Sequence, residues 1–288
     1  MDNIVINEVG PRDGLQNINK VLSVDERLML IRSLEDAGIE HIEIGSFVSD
    51  KAVPAMTNTG GLINKLENID NYSVLIPNKK GLDEAKIHRI KEICTVLCVT
   101  DSMNQKNINQ TVDETLNNLK LILEDSSKNG IRTKCYVSVA FHCPYEGKVD
   151  SSYVEDVVGQ LLDYKVDEVV IADTIGAANP KEVSALMTSL SSTYKDAIFS
   201  CHFHDTRALG LANVYSSLEA GINKFDSCIG GLGGCPFAPN SSGNLATEDL
   251  VGMLELMNIT TGINMDKLLV AREVASQLTN VTLKGRMY

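Results

Sequence analysis

The sequence predicts an α/β chain folded as a (β/α)8 TIM barrel with a C-terminal helical extension. Three observations carry the prediction. Eight short apolar, β-branched runs recur along the 288 residues. Amphipathic, helix-like stretches separate them, and glycines and capping residues mark where each helix starts and stops. Near-continuous apolar strands between helices indicate a parallel sheet covered on both faces. Eight such units in roughly 260 residues match the usual size of this barrel. The alternative, an open doubly wound sheet, would carry a phosphate-binding glycine turn after its first strand. Gly10-Pro-Arg-Asp-Gly14 is not that pattern. Residues 1–288 read as one catalytic domain, with 258–288 as the extension, since no linker or low-complexity segment divides them.

The predicted strands occupy 4–8, 41–45, 72–76, 93–99, 133–140, 168–172, 198–203 and 224–229. Helical patterns fill 23–37, 111–126, 153–164, 180–194 and 210–220, and a further one at 265–278 lies in the extension. Ser23 and Glu26 have the spacing of a capping box. Ala37-Gly38, Asn129-Gly130 and Ala220-Gly221 read as helix ends that return the chain to a strand. Asn179-Pro180 opens a helix with proline at its first position.

Composition excludes several functions. The formal net charge is -12, from 26 basic and 38 acidic residues. An acidic chain without basic clusters is a poor binder of nucleic acid or anionic membranes. No apolar run approaches the roughly 20 residues that span a bilayer. The first strand begins close to Met1, which leaves no room for a targeting segment. Seven cysteines, an odd number in a chain of this length, fit a reducing, cytoplasmic compartment. Cys94 and Cys98, in an apolar run, read as small core residues.

In such a barrel the chemistry sits at the C-terminal ends of the strands, so those positions are read in turn. The first strand leads to Arg12 and Asp13 in a glycine-flanked turn. Asp13 offers a hard oxygen ligand, and Arg12 a fixed positive charge for a developing oxyanion. Glu43 alternates with Ile42 and Ile44. If it points into the barrel it needs a partner, and Arg12 is the natural one. Asp173, ending the sixth strand, is either a cap for the next turn or a polar member of the site. The seventh strand ends in His202-Phe203-His204-Asp205, where the two imidazoles share a face. Asp205 either orients one ring or caps the following turn. After the eighth strand, Gly231-Leu-Gly-Gly-Cys-Pro236 places Cys235 in a glycine loop, a lid candidate able to carry a proton to substrate. Asn244 adds an amide oxygen. Asp13, His202, His204 and Asn244 suit a six-coordinate Mg²⁺ or Mn²⁺. Zn²⁺ on His202, His204 and Cys235 is the competing set, weakened by the mobility expected of a glycine loop.

Several motifs resemble the 3-hydroxy-3-methylglutaryl-CoA lyase family. They are Glu8-Val-Gly-Pro-Arg-Asp-Gly-Leu-Gln-Asn17, Gly45-Ser-Phe-Val-Ser49, Lys106-Asn-Ile-Asn109, Cys143-Pro-Tyr-Glu-Gly-Lys148, Asp173-Thr-Ile-Gly176, His202-Phe-His-Asp-Thr206, Gly231-Leu-Gly-Gly-Cys-Pro-Phe237 and Gly243-Asn-Leu-Ala-Thr-Glu-Asp249. The resemblance spans the chain. It implies a metal-dependent barrel that cleaves hydroxymethylglutaryl-CoA to acetyl-CoA and acetoacetate without an organic cofactor. It implies metal ligands at Asp13, His202, His204 and Asn244, and catalytic roles at Arg12, Asp13, Glu43, Asp173, His202, Cys235 and Glu248. Gln16, Ser46, Lys79, Lys106 and Asn107 are the expected contacts to substrate and CoA, with Lys20, Lys80 and Arg207 as further cations for its phosphates. The implied partner is an acyl-CoA, and a homodimer is compatible with the sequence. Isopropylmalate and homocitrate synthases share the first-strand Arg-Asp and the His-x-His, but are not expected to carry the Gly-Leu-Gly-Gly-Cys-Pro loop. The chain departs from the family pattern at Ala238-Pro-Asn-Ser-Ser-Gly243, at His142, at Thr100-Asp101-Ser-Met103 and at Ala208, where glycine is usual. The first three lie on rim loops, which leaves open a longer 3-hydroxy-3-alkylglutaryl-CoA as substrate.

Overall fold

The eight predicted runs form one closed, all-parallel barrel. The structure, a computed structural model, describes residues 4–234, 243–283 and 285–287. The barrel strands are β1 (Val5–Glu8), β2 (His41–Ser46), β3 (Tyr72–Leu75), β4 (Glu92–Cys98), β5 (Arg132–Ser138), β8 (Glu168–Asp173), β9 (Phe199–Phe203) and β10 (Lys224–Ser227). They pair in the order β1-β10-β9-β8-β5-β4-β3-β2, so β1 closes against β10. A small hairpin, β6 (His142–Cys143) and β7 (Gly147–Lys148), lies between β5 and β8. Ten α-helices are present among the described residues. They are α1 (Val24–Asp36), α2 (Thr59–Ile63), α3 (Lys79–Ile87), α4 (Asp101–Ile108), α5 (Val112–Lys128), α6 (Ser151–Asp163), α7 (Pro180–Thr193), α8 (Gly210–Glu219), α9 (Thr247–Leu256) and α10 (Met265–Thr279).

Local signals explain the boundaries. Ser23 and Glu26 form a reciprocal capping box at α1, as Thr111 and Glu114 do at α5 and Asn179 and Glu182 at α7. Gly38, Gly130 and Gly221 end α1, α5 and α8 with φ of +92°, +66° and +88°, the left-handed geometry that suits glycine. α10 packs on α1, and the Asn264 amide donates to the Ala37 carbonyl at 2.8 Å. The predicted extension is therefore docked on the barrel wall.

The core has two layers. A large cluster fills the space between strands and helices, and inside the barrel Cys94, Tyr136 and Val170 meet, with Leu75 and Val96 against them. Below this inner layer, at the N-terminal ends of the strands, charges pair with one another. Lys134 Nζ lies 2.8 Å from Glu92, and Lys224 Nζ 2.9 Å from Glu168. The opposite end carries the residues singled out by the sequence. No helix among the described residues is long and apolar enough to cross a membrane.

Candidate active site

The turn after β1 sets the site. Residues Gly10–Gly14 wind as a single wide π-helical turn, in which the Val9 carbonyl accepts from the amides of Arg12, Asp13 and Gly14 at 3.1, 2.7 and 3.2 Å. Such turns recur at functional positions. A Cβ on Gly10 would lie 2.5 Å from Glu8 Oε1, and one on Gly14 2.6 Å from Cys228 Sγ. A side chain at either place would force these buried groups to shift, and the turn carries Arg12 and Asp13 to the barrel mouth.

β9 supplies the imidazoles. His202 and His204 lie on one face with ring centroids 5.3 Å apart, while Phe203 is buried in the outer core. One donor atom from each of Asp13, His202 and His204 lies within 4.8 Å of the others. Asn244 bridges to His204 and donates through Nδ2 to Asp13 Oδ2 at 2.8 Å and to the Leu232 carbonyl at 2.9 Å. Asn244 Oδ1 and His204 Nδ1 are buried with no hydrogen-bond partner among the described residues. Orphaned buried acceptors of this kind are costly unless a ligand satisfies them, and their chemistry fits a divalent cation. Protonation favours the same conclusion. Burial alone would raise the Asp13 carboxyl, but Arg12 and the two imidazoles together bring it down to about 2. Burial, reinforced by His202, lowers His204 to about 4. An ionised carboxylate and a neutral imidazole are the ligand forms.

A hydrogen-bonded network backs these groups. The Arg12 Nε donates to Glu43 Oε1, and its Nη1 to Asp13 Oδ1 at 2.6 Å. Glu43 thus points into the barrel and takes the partner expected of it. The Tyr136 hydroxyl lies 2.9 Å from Glu43 Oε2 and 2.8 Å from Asp226 Oδ2. Asp226 Oδ2 also lies 3.0 Å from His202 Nδ1, and its Oδ1 accepts from Asn7 at 2.9 Å. Burial would depress the His202 pKa, but the Asp226 contact prevails and holds it above the ordinary value.

The structure thus joins Arg12, Asp13, Glu43, His202, His204 and Asn244 in one cluster, and it shows what the other candidates touch. Asp173 takes the capping alternative, its carboxylate accepting from the amides of Ala177 and Ala178 at 2.9 and 3.0 Å. Asp205 orients neither ring. It caps the Gly210 amide at 2.9 Å and pairs with Arg286 at 2.6 Å. Glu248, at the start of α9, accepts from the Gly230 amide and pairs with Arg272, both at 2.9 Å, and so braces the base of the glycine loop. Lys79 pairs with Asp83 and Asp125, and Lys20 contacts Glu26 and the Leu278 carbonyl. Arg207 reaches the Ala177 carbonyl at 3.4 Å. Lys80, Lys106 and Asn107 are exposed and Gln16 half-buried, while Ser46 Oγ is buried without a partner among the described residues. Cys235 lies outside the described residues.

Sequence reading missed Tyr136, Asp226, Asn7 and Glu8. For Asp226 and Glu8 the available signal was an acid within an apolar strand, a position where Asp and Glu are depleted.

The family model described as HMGL-like matches residues 3–275. The chain belongs to the HMGL-like family. It is 41% identical over 288 residues to the hydroxymethylglutaryl-CoA lyase YngG of Bacillus subtilis (strain 168), covering 98% of this chain and 95% of that one. The crystal structure of the Bacillus subtilis HMG-CoA lyase superposes with a TM-score of 0.95 at 38% identity, over 99% of this chain and 97% of that one. An HMG-CoA lyase from Acinetobacter baumannii in complex with coenzyme A and 3-methylmalate gives a TM-score of 0.94 at 35% identity, over 99% and 94% of the two chains. Within this HMGL-like chain the departure at Ala208 has a structural consequence, because the residue sits at φ +57°, where an L side chain is strained. His142, another departure, lies 3.2 Å from Glu182 and so ties the β6–β7 hairpin to the start of α7.

Proposed function

We propose that the chain is a hydroxymethylglutaryl-CoA lyase, splitting 3-hydroxy-3-methylglutaryl-CoA into acetyl-CoA and acetoacetate. The observation that carries this reading is the meeting of Asp13, His202 and His204, with donor atoms within 4.8 Å, beside the Arg12 guanidinium. The coenzyme A and 3-methylmalate held by the Acinetobacter baumannii relative support an acyl-CoA substrate with a branched hydroxy-acid end. Asp13, His202, His204 and Asn244 would hold the cation, and this mixed oxygen and nitrogen set favours Mg²⁺ or Mn²⁺ over Zn²⁺. When bound, the cation supplies Lewis-acid polarisation of the substrate's tertiary hydroxyl.

The protein's own groups divide the rest of the reaction. Asp13, or His202 where its ring is not on the cation, accepts the hydroxyl proton. The bond between C2 and C3 then breaks, C3 becomes the ketone of acetoacetate, and the electron pair passes into the thioester as an enolate. Arg12, fixed between Glu43 and Asp13, is the counter-charge for the enolate oxygen. Cys235 returns a proton to the enolate carbon, which gives acetyl-CoA. Gln16, Ser46, Lys79, Lys106 and Asn107 are proposed substrate contacts, and the odd number of cysteines supports a reducing, cytoplasmic setting.

The test is a coupled assay on a panel of 3-hydroxy-3-alkylglutaryl-CoA thioesters, using EDTA-stripped protein reloaded with Mg²⁺, Mn²⁺ or Zn²⁺. Acetoacetate release from the methyl substrate, with no keto acid present and restored by Mg²⁺ or Mn²⁺, is the expected result. Failure of the reloaded protein to cleave that substrate sinks the proposal, and recovery with Zn²⁺ alone reverses the metal assignment.

A further inference from the structure

We propose that Asp226 is a positioning residue that locks the His202 ring in one tautomer and one rotation, with Nε2 offered to Asp13 and His204. The proposal deepens the lyase reading and rests on it only where it concerns the bound metal. The register places the two residues side by side, because Asp226 pairs with His202 across β10 and β9, and with Asn7 across β10 and β1. Three strands then hold one carboxylate. Asn7 Nδ2 donates to Oδ1 at 2.9 Å, while the Tyr136 hydroxyl at 2.8 Å and His202 Nδ1 at 3.0 Å converge on Oδ2. Asp226 is buried and cannot rotate without breaking all three contacts.

A carboxylate has acceptors and no donor, so the facing Nδ1 must carry the ring proton. Nε2 is left with its lone pair, and it is the nitrogen that His202 can contribute to the cluster with Asp13 and His204. Carboxylates that hold a ligating imidazole in this way typically change metal affinity 10–100-fold when removed. His204 shows the contrast, since its Nδ1 is buried without any partner among the described residues, so only one of the two rings has its tautomer fixed by the protein. Tyr136 extends the lock. Its hydroxyl also reaches Glu43, the anchor of Arg12, so the two sides of the site share one frame.

Two measurements test this. Long-range ¹H–¹⁵N NMR of the metal-free wild type, recorded well above the imidazole titration range, should show the His202 proton on Nδ1. In Asp226→Asn the amide can donate to Nδ1, so the proton should move toward Nε2, and Mn²⁺ affinity by EPR titration should fall about 10–100-fold. A wild-type proton on Nε2, or an Asp226→Asn affinity within about twofold of wild type, overturns the proposal; the first result needs no variant to fold. A wild type that binds Mn²⁺ without cleaving the thioester refutes the lyase reading and leaves the Asp226 result standing. One that binds no Mn²⁺ refutes the metal reading, and the tautomer then decides on Asp226.

Discussion

Glu8 offers a stability test with a definite sign. Its carboxyl is fully buried at the end of β1. Oε1 accepts from the amides of Gly10 and Ile229, both at 2.8 Å, and Thr247 Oγ1 lies 2.5 Å from Oε2. These contacts tie the Arg12–Asp13 turn to the base of the glycine loop and to α9. Burial pushes the Glu8 pKa from 4.5 to about 7, with Glu248 adding and the hydrogen bonds opposing. Because the folded value is raised, the folded state binds the proton more tightly. The stabilisation it gives is complete below pH 4.5 and is lost as pH rises to about 7. At ~1.4 kcal/mol per pKa unit the loss is about 3 kcal/mol. Glu8→Gln mimics the neutral acid, with a carbonyl for the two amides and an NH₂ facing Thr247. Urea unfolding of both proteins across this range should show the variant gaining on wild type by about 3 kcal/mol as pH rises, then a constant difference. Other titrations are common to both proteins and cancel. A difference that stays flat within about 1 kcal/mol across the window would refute the argument, because it would mean that Glu8 titrates at its unfolded value.

Three further outcomes are expected. Glu43→Gln leaves the buried Arg12 with Asp13 as its remaining carboxylate, so chemical denaturation should show a loss of roughly 2–4 kcal/mol and kcat/KM should drop by about 10²-fold as the enolate's counter-charge loosens. Cys235→Ala should nearly abolish acetyl-CoA formation while Mn²⁺ affinity stays at the wild-type value; unchanged turnover removes this thiol from the reaction. Ala208→Gly relieves an exposed residue at φ +57° and should stabilise by about 0.5–1 kcal/mol, read as a small rise in Tm with kcat unaltered.

What the sequence made legible follows from periodicity. Strands buried on both faces, such as Glu168–Asp173, stand out as unbroken apolar runs, and the i, i+2 spacing of His202 and His204 places both rings on one side with no tertiary information. Register is not legible in this way. Asp205 looked like the partner of an imidazole because it follows His204 in the chain, yet the partner is Asp226, a neighbour only across the β9–β10 pairing. Tyr136 hid for a related reason: within an apolar strand a tyrosine reads as core, and only barrel closure brings its hydroxyl between Glu43 and Asp226. Lys79, read as a substrate contact, pairs with Asp125 on a different helix, a neighbour that the sequence does not give.

The recovered residues change the electrostatic reading of the site. Sequence motifs alone pair one cation, Arg12, with Asp13 and Glu43. With Asp226 included through Tyr136, three carboxylates and one guanidinium belong to a single hydrogen-bonded network. When both imidazoles are neutral, as ligands to a cation must be, the formal charge at the barrel mouth is two negative units, buried where uncompensated charge is costly. A dication held by Asp13, His202 and His204 would balance that charge and would offer a partner to the orphaned His204 Nδ1 or Asn244 Oδ1. Lys134 and Lys224, at the far end of the barrel, are already paired with Glu92 and Glu168. Against burial, which would raise it, the direct His202 contact holds the Asp226 carboxyl below its ordinary pKa, and Lys134 adds a smaller effect in the same direction, so most of the acidic surplus at the mouth is left for a cation.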